Sequence, residues 1–195
     1  MGSYADDALF MSRNNIEYVE LISDDGKSKV MVIPAWQERV MTTSAAGDEG
    51  DSYGWINYSF IKKRQIDLQF NPVGGEERFW LGPEGGVFSL YFRQGEKQIY
   101  KNWKVPPVLD IEAFKIQSQS KNCICLTKEG CLTNACGTTF YLNIKRTISL
   151  LDINEFAASF NLEFPKDIKA VAYKSDNQIT NIGNESWNKE TGLIS

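Results

Sequence analysis

Between Phe140 and Leu150 the chain alternates apolar and polar side chains with strand periodicity. Phe140, Leu142, Ile144, Ile148 and Leu150 fall on one face, and Tyr141, Asn143, Lys145, Thr147 and Ser149 on the other. Only extended backbone places every second side chain on the same side, so a run of this length predicts a strand crossing a large antiparallel sheet, with one face against a core. Arg146 alone interrupts the apolar face. Its guanidinium is expected either to sit at the strand end or to reach a carboxylate, because a buried charge without a partner is costly. Shorter alternations punctuated by Gly, Asp, Asn and Pro recur along the chain, so the predicted fold is all-β with one short helix, an antiparallel β-sandwich.

The individual elements can be read from the same pattern. Tyr18 to Ile22 and Lys29 to Ile33 flank Asp24-Asp25-Gly26-Lys27, a hairpin whose turn chemistry is supplied by Asp25-Gly26. Two more strands are expected between Glu112 and Lys128, joined by Ser118 to Asn122, and a half-buried strand is expected at Val87 to Phe92 with Phe88, Leu90 and Phe92 inward. A final strand from Ile168 to Tyr173 leads toward Thr180 to Asn184. The helix starts at Asp152, where Glu155 completes a capping box and Ile153, Phe156, Ala157 and Phe160 form a stripe expected to pack on the sheet. The 195 residues form one domain or the N-terminal part of a larger one. Residues 1–12 are expected to be flexible or tag-derived, and Leu193-Ile194-Ser195 reads as a strand cut at its start, so the sandwich is expected to be incomplete.

Several function classes are poorly served by this sequence. A net charge of -4, with Lys62-Lys63-Arg64 as the one compact basic run, gives no electrostatic footprint for nucleic acid. No apolar stretch approaches the ~20 residues that a membrane-spanning helix needs. The chain contains no histidine, which excludes Ser-His and Cys-His nucleophiles and leaves acid–base chemistry to carboxylates, Tyr, Lys or Cys. Cys123, Cys125, Cys131 and Cys136 lack the paired spacing of structural zinc sites and read as ordinary thiols. No metal and no cofactor is expected. The run Ala46 to Asp51 lacks the ligand order of a calcium loop and reads as a solvated turn first and a weak cation site second.

The segment most suited to a ligand is Asn71 to Gly86, which holds five of the chain's fifteen glycines and two of its six prolines. Paired glycines admit positive φ and close approach, and each proline fixes φ, so a shaped loop is expected. Within it Glu76, Glu77, Arg78, Trp80 and Glu84 combine charge with a flat aromatic face. Carboxylate and guanidinium can share bidentate hydrogen bonds with sugar hydroxyls while a C–H face packs on an indole, so carbohydrate is the expected partner. Neighbours on extended backbone point to opposite faces, so at most one of Glu76 and Glu77 can join Glu84 at a ligand, the other being a surface charge or the partner of Arg78. Trp55 and Asn57, with Tyr53 and Tyr58, form a second aromatic cluster. Both segments also read as architecture: a hairpin connection with Trp80 in the core, and interleaved core aromatics at 53–58.

The block Gly74 to Gly86, with Arg39-Val40-Met41-Thr42 and Tyr53-Gly54-Trp55-Ile56-Asn57 upstream, resembles a bacterial family of uncharacterised, often exported proteins. The resemblance runs the length of the chain. That family is similar to the galactose-mutarotase-like proteins, which implies a β-supersandwich that binds carbohydrate and a periplasmic or extracellular location. Thr180-Asn181-Ile182-Gly183 and Gly192 to Ser195 are similar to the middle region of mutarotases. Mutarotases use a histidine acid and a glutamate base in their C-terminal half, and this chain has no histidine at all. The resemblance therefore implies the fold and sugar binding more strongly than the activity. A sugar epimerase or polysaccharide-processing enzyme with catalytic residues partly outside this chain is the alternative, and a structural or interaction domain the other.

Overall fold

In a computed structural model the described residues are 2–165 and 167–192, and they form two antiparallel sheets with a helical layer against the smaller one. The smaller sheet joins β1 (Val19–Ile22), β2 (Lys29–Ile33) and β3 (Arg39–Ser44) in that order. The larger joins β4 (Lys115–Gln119), β5 (Cys123–Thr133), β6 (Thr139–Leu151) and β7 (Ala172–Asn181). The mostly-β, two-sheet fold and the opening hairpin match the sequence expectation. Among the described residues no helix is long and apolar enough to cross a membrane.

The alternation in β6 does what its period requires. Phe140, Leu142, Ile144, Ile148 and Leu150 are buried and meet Leu21, Val30, Val32 and Val40 of the smaller sheet in one apolar core. Every residue of β2 is buried because its two faces serve different cores: Val30 and Val32 face the larger sheet, while Met31 and Ile33 face a second core. That second core is closed by two helices, α1 (Tyr4–Arg13) and α2 (Tyr58–Lys62), through Tyr4, Met11 and Ile61. A register shift after Met31 pairs Val32 with Val40 and leaves Met41 as the extra residue in β3.

The described part of 1–12 is built into the fold. Ser3 caps α1 in a reciprocal capping box with Asp6, and Tyr4, Asp7 and Met11 are buried. Asp7 accepts hydrogen bonds from Ser52 and from Tyr58, which fasten the helix to the segment that follows β3. The sequence reading failed here because the apolar positions Tyr4, Ala8 and Met11 are too few to stand out from a polar helix.

Three further expectations are corrected. Val87 to Phe92 is not a strand: its backbone turns back on the glycine-rich loop, with Leu90 N–H donating to Pro83 O (3.1 Å) and Ser89 N–H to Gly86 O (3.1 Å). Tyr91, assigned to the outer face, is buried with its hydroxyl on Leu81 O. The last strand is β7, which pairs with β6 from Leu142 to Leu151, so the polar run Lys174 to Asn177 lies within it. Partner hydrogen bonds along β6 outweigh the poor intrinsic preference of these residues. The third helix, α3 (Ile153–Ser159), starts at the expected cap, yet of its stripe only Ala157 is buried; Phe160 is 64% exposed and packs against Phe156 (5.0 Å between centroids). The reading of Leu193 to Ser195 lies outside the described residues.

Candidate functional site

The glycine-rich loop is laid against the smaller sheet by backbone pairing. Glu76 N–H donates to Val40 O (2.9 Å), Val40 N–H to Glu77 O (3.1 Å) and Gly75 N–H to Trp55 O (2.8 Å), so residues 74–77 run between β3 and the 55–57 segment. Gly74 (φ 98°) and Gly75 (φ 111°) are required there. A Cβ at Gly74 would lie 2.2 Å from Trp55 O, and one at Gly75 would lie 2.8 Å from Arg39 Cδ. These glycines let the loop close over the arginine, whose Nη1 donates to Gly74 O (2.6 Å).

Because the segment is extended, Glu76 and Glu77 diverge as expected. Glu76 accepts from Thr43 N–H (2.7 Å) and Thr43 Oγ1 (2.9 Å). Glu77 pairs with Arg146 Nη2 (2.6 Å) and accepts from Ser175 Oγ (3.2 Å). Arg146 thus reaches a carboxylate, as one of its two readings required, and neither Glu76 nor Glu77 is the partner of Arg78. Arg78 turns instead to Leu109 O (2.6 Å), Gln37 Oε1 (3.3 Å) and Asp110 Oδ1 (3.6 Å). Asp110 is fixed by Asn71, which donates from its backbone (3.0 Å) and side chain (2.7 Å).

Three arginines, Arg39, Arg78 and Arg146, therefore gather with Glu38, Glu77 and Asp110 between loop and sheets. Burial, and after it the neighbouring Arg78 guanidinium, depress Arg39 to about 10 against the pull of Asp110. Burial pushes the Glu38 carboxyl up to about 9, against the opposing attraction of Arg146, whose Nε is 4.0 Å from Oε2. The Ile148 amide also favours the ionised form without reaching hydrogen-bonding geometry. Glu38 is thus a neutral acid at pH 7. It and Gln37 both occupy the left-handed region, at φ 58° and 61°, a strained conformation for residues with side chains.

Beyond Arg78 the site becomes aromatic. Its guanidinium carbon lies 4.2 Å from the Trp80 ring centre; Trp80 stacks on Tyr91 (5.1 Å, 27°), Tyr91 on Trp103 (5.6 Å, 5°), and Trp103 on Tyr100 (6.3 Å, 12°). Trp80 also lies 6.5 Å from Trp103, so these rings form a cluster, and its indole N–H donates to Glu84 Oε1 (2.8 Å). Tyr100, stacked on Trp103, is the exposed member of the cluster at 78%. Beside it an open, shallow depression of the surface is lined by Glu84, Gly85, Phe92, Gln98, Ile99, Tyr100 and Trp103.

The structure brings Arg78, Trp80 and Glu84 together, with Glu76 and Glu77 on the same loop but turned to other partners. Trp55 and Asn57 lie apart: the indole is 65% exposed, and Asn57 caps α2, accepting from Phe60 N–H (3.1 Å) and donating to Pro72 O (2.9 Å). Tyr53 and Tyr58 are exposed as well, so the 53–58 aromatics are not core. Sequence reasoning missed Glu38, Arg39, Tyr100, Trp103 and Asp110. The available signal was an uninterrupted Gln-Glu-Arg inside an otherwise apolar stretch between Val30 and Met41. The four cysteines are free thiols, and among the described residues no group of three or more His, Cys, Asp or Glu side chains could hold a metal ion.

Comparison with curated proteins and with solved structures returns no match. Residues 2–195 match the model of a protein family of unknown function, DUF6786, and the chain belongs to that family.

Proposed function

We propose that this chain is a carbohydrate-binding protein of mutarotase-like β-sandwich architecture, acting on or sensing sugars outside the cytoplasm. The observation that carries the reading is the aromatic stack with its polar rim. Tyr100 offers a flat exposed ring, Trp103 backs it, and Glu84 and Gln98 border the adjoining shallow depression. A pyranose presents one apolar C–H face and an equator of hydroxyls, which is the chemistry this rim matches. Trp80 serves from behind: in contact with Arg78 and Tyr91, it stiffens the cluster and orients Glu84 through its indole N–H.

A glycan array and a thermal-shift panel of monosaccharides test the reading. Binding is expected for the parent protein, with loss in Tyr100→Ala and Trp103→Ala and retention in Trp55→Ala. No response to any sugar, or equal binding by all three variants, would overturn it.

A further inference from the structure

Five nitrogens of the three clustered guanidiniums have no hydrogen-bond partner although they are shielded from solvent: Nε and Nη2 of Arg39, Nε of Arg78, and Nε and Nη1 of Arg146. Arg39 and Arg146 are 3% and 0% exposed. The carboxylates nearby do not answer this demand. Glu77 is engaged by Arg146 Nη2 and Ser175; Asp110 Oδ2 is engaged by Asn71, while its unbonded Oδ1 faces Arg78 Nη2 at 3.6 Å rather than Arg39; and Glu38 has no hydrogen bond to either oxygen. Among the described residues no carboxylate forms an ion pair with Arg39. Buried charged donors in this state are costly, so an arrangement that keeps them points to an acceptor supplied from outside.

The pattern of free atoms identifies the acceptor. Nη1 of Arg39 is committed to Gly74 O, while the unpaired Nε and Nη2 form the side-on edge of the guanidinium, two parallel N–H bonds. That edge matches the two oxygens of a planar carboxylate. Gly75 holds the edge in place, since the Arg39 side chain packs where a Cβ would stand. The Gln37-Glu38 pair in left-handed backbone turns β3's first residue into the cluster. Arg78 and Glu77, whose side chains are 20% and 26% exposed, are the members that meet solvent, so a ligand enters past them.

We propose that Arg39, assisted by Arg78 and Arg146, is the receptor for a carboxylate-bearing small molecule, bound side-on through Arg39 Nε and Nη2. The site is separate from the Tyr100 surface and does not rest on the sugar reading; uronates serve as probes that carry the carboxylate on a small polar ring.

The test compares sodium glucuronate, galacturonate and acetate with glucose, galactose, inorganic phosphate and sodium chloride at matched ionic strength, by calorimetry and thermal shift on the full chain. Uronates are expected to bind saturably and to raise the melting temperature above the chloride control. Arg39→Lys keeps the charge but not the fork, and is expected to weaken uronate binding about tenfold or more. Arg39→Met, neutral and of similar length, is expected to abolish it while remaining folded by circular dichroism. Uronate binding unchanged in both variants, or phosphate preferred over every carboxylate, would overturn the proposal. Neutral sugars binding while uronates do not would overturn it too, leaving the sugar reading intact.

Discussion

Glu38 provides a quantitative test of the buried cluster. Its side chain is fully buried, and burial raises its carboxyl from 4.5 to about 9 against the attraction of Arg146. In the unfolded chain the group gives up its proton near pH 4.5, whereas in the native protein it keeps it. Between these values the native state binds more protons than the unfolded state, so stability falls as pH rises. The contribution is fully present below about pH 4.5 and is lost progressively up to about pH 9, at roughly a tenfold change in the folding equilibrium per pH unit. At pH 7 the loss amounts to about 3 kcal/mol. Glu38→Gln substitutes a neutral side chain of the same shape and removes the titration. The variant is expected to be more stable than the parent by about 3 kcal/mol at pH 7 and similar to it near pH 4.5. Urea unfolding followed by tryptophan fluorescence from about pH 5 to about pH 8 measures this, provided the m-value is unchanged. A difference independent of pH, or a variant less stable than the parent at pH 7, would refute the reasoning and mean that Glu38 is ionised beside Arg146.

Two further substitutions probe how the site is held. Asp7→Ala removes the acceptor for Ser52 and Tyr58 under α1, and is expected to destabilise the fold by about 2 to 4 kcal/mol in chemical denaturation, with a smaller effect for Asp6→Ala on the exposed cap. Gly75→Ala must strain a residue at φ 111° and press its Cβ to 2.8 Å from Arg39 Cδ. A loss of about 2 kcal/mol or more is expected, against about 1 kcal/mol for Gly26→Ala in an open turn, with the difference read from urea midpoints.

Periodicity in the sequence foretold what periodicity controls. The alternations at 18–22, 29–33 and 140–150 became β1, β2 and β6, because each has one face whose exposure to water would be costly. Val87 to Phe92 has the same alternation and is no strand: its partner is the loop before it, and local bonds to Pro83 and Gly86 satisfy the backbone that a sheet would otherwise pair. At the site, Arg78, Trp80 and Glu84 were legible because glycine, charge and indole crowd into one segment. Arg39, Asp110 and Trp103 were not. Their importance comes from tertiary approach: Asp110 reaches Arg78 across more than thirty residues of sequence, and Arg39 is concealed within a strand that is buried along its length. The Glu77 to Arg146 pair spans the two sheets for the same reason, and only half of it, an arginine on an apolar face, could be anticipated.

The most direct measurement of the sugar-binding claim uses the five tryptophan indole N–H signals in a proton–nitrogen correlation spectrum during titration with a sugar that scores on the array. The Trp80 signal is anchored by Glu84, and Trp103 lies directly behind Tyr100. Saturable shifts confined to Trp80 and Trp103, with Trp36, Trp55 and Trp187 unmoved, are the predicted result. Shifts confined to Trp55 or Trp187, or no shift at saturating sugar, would contradict it.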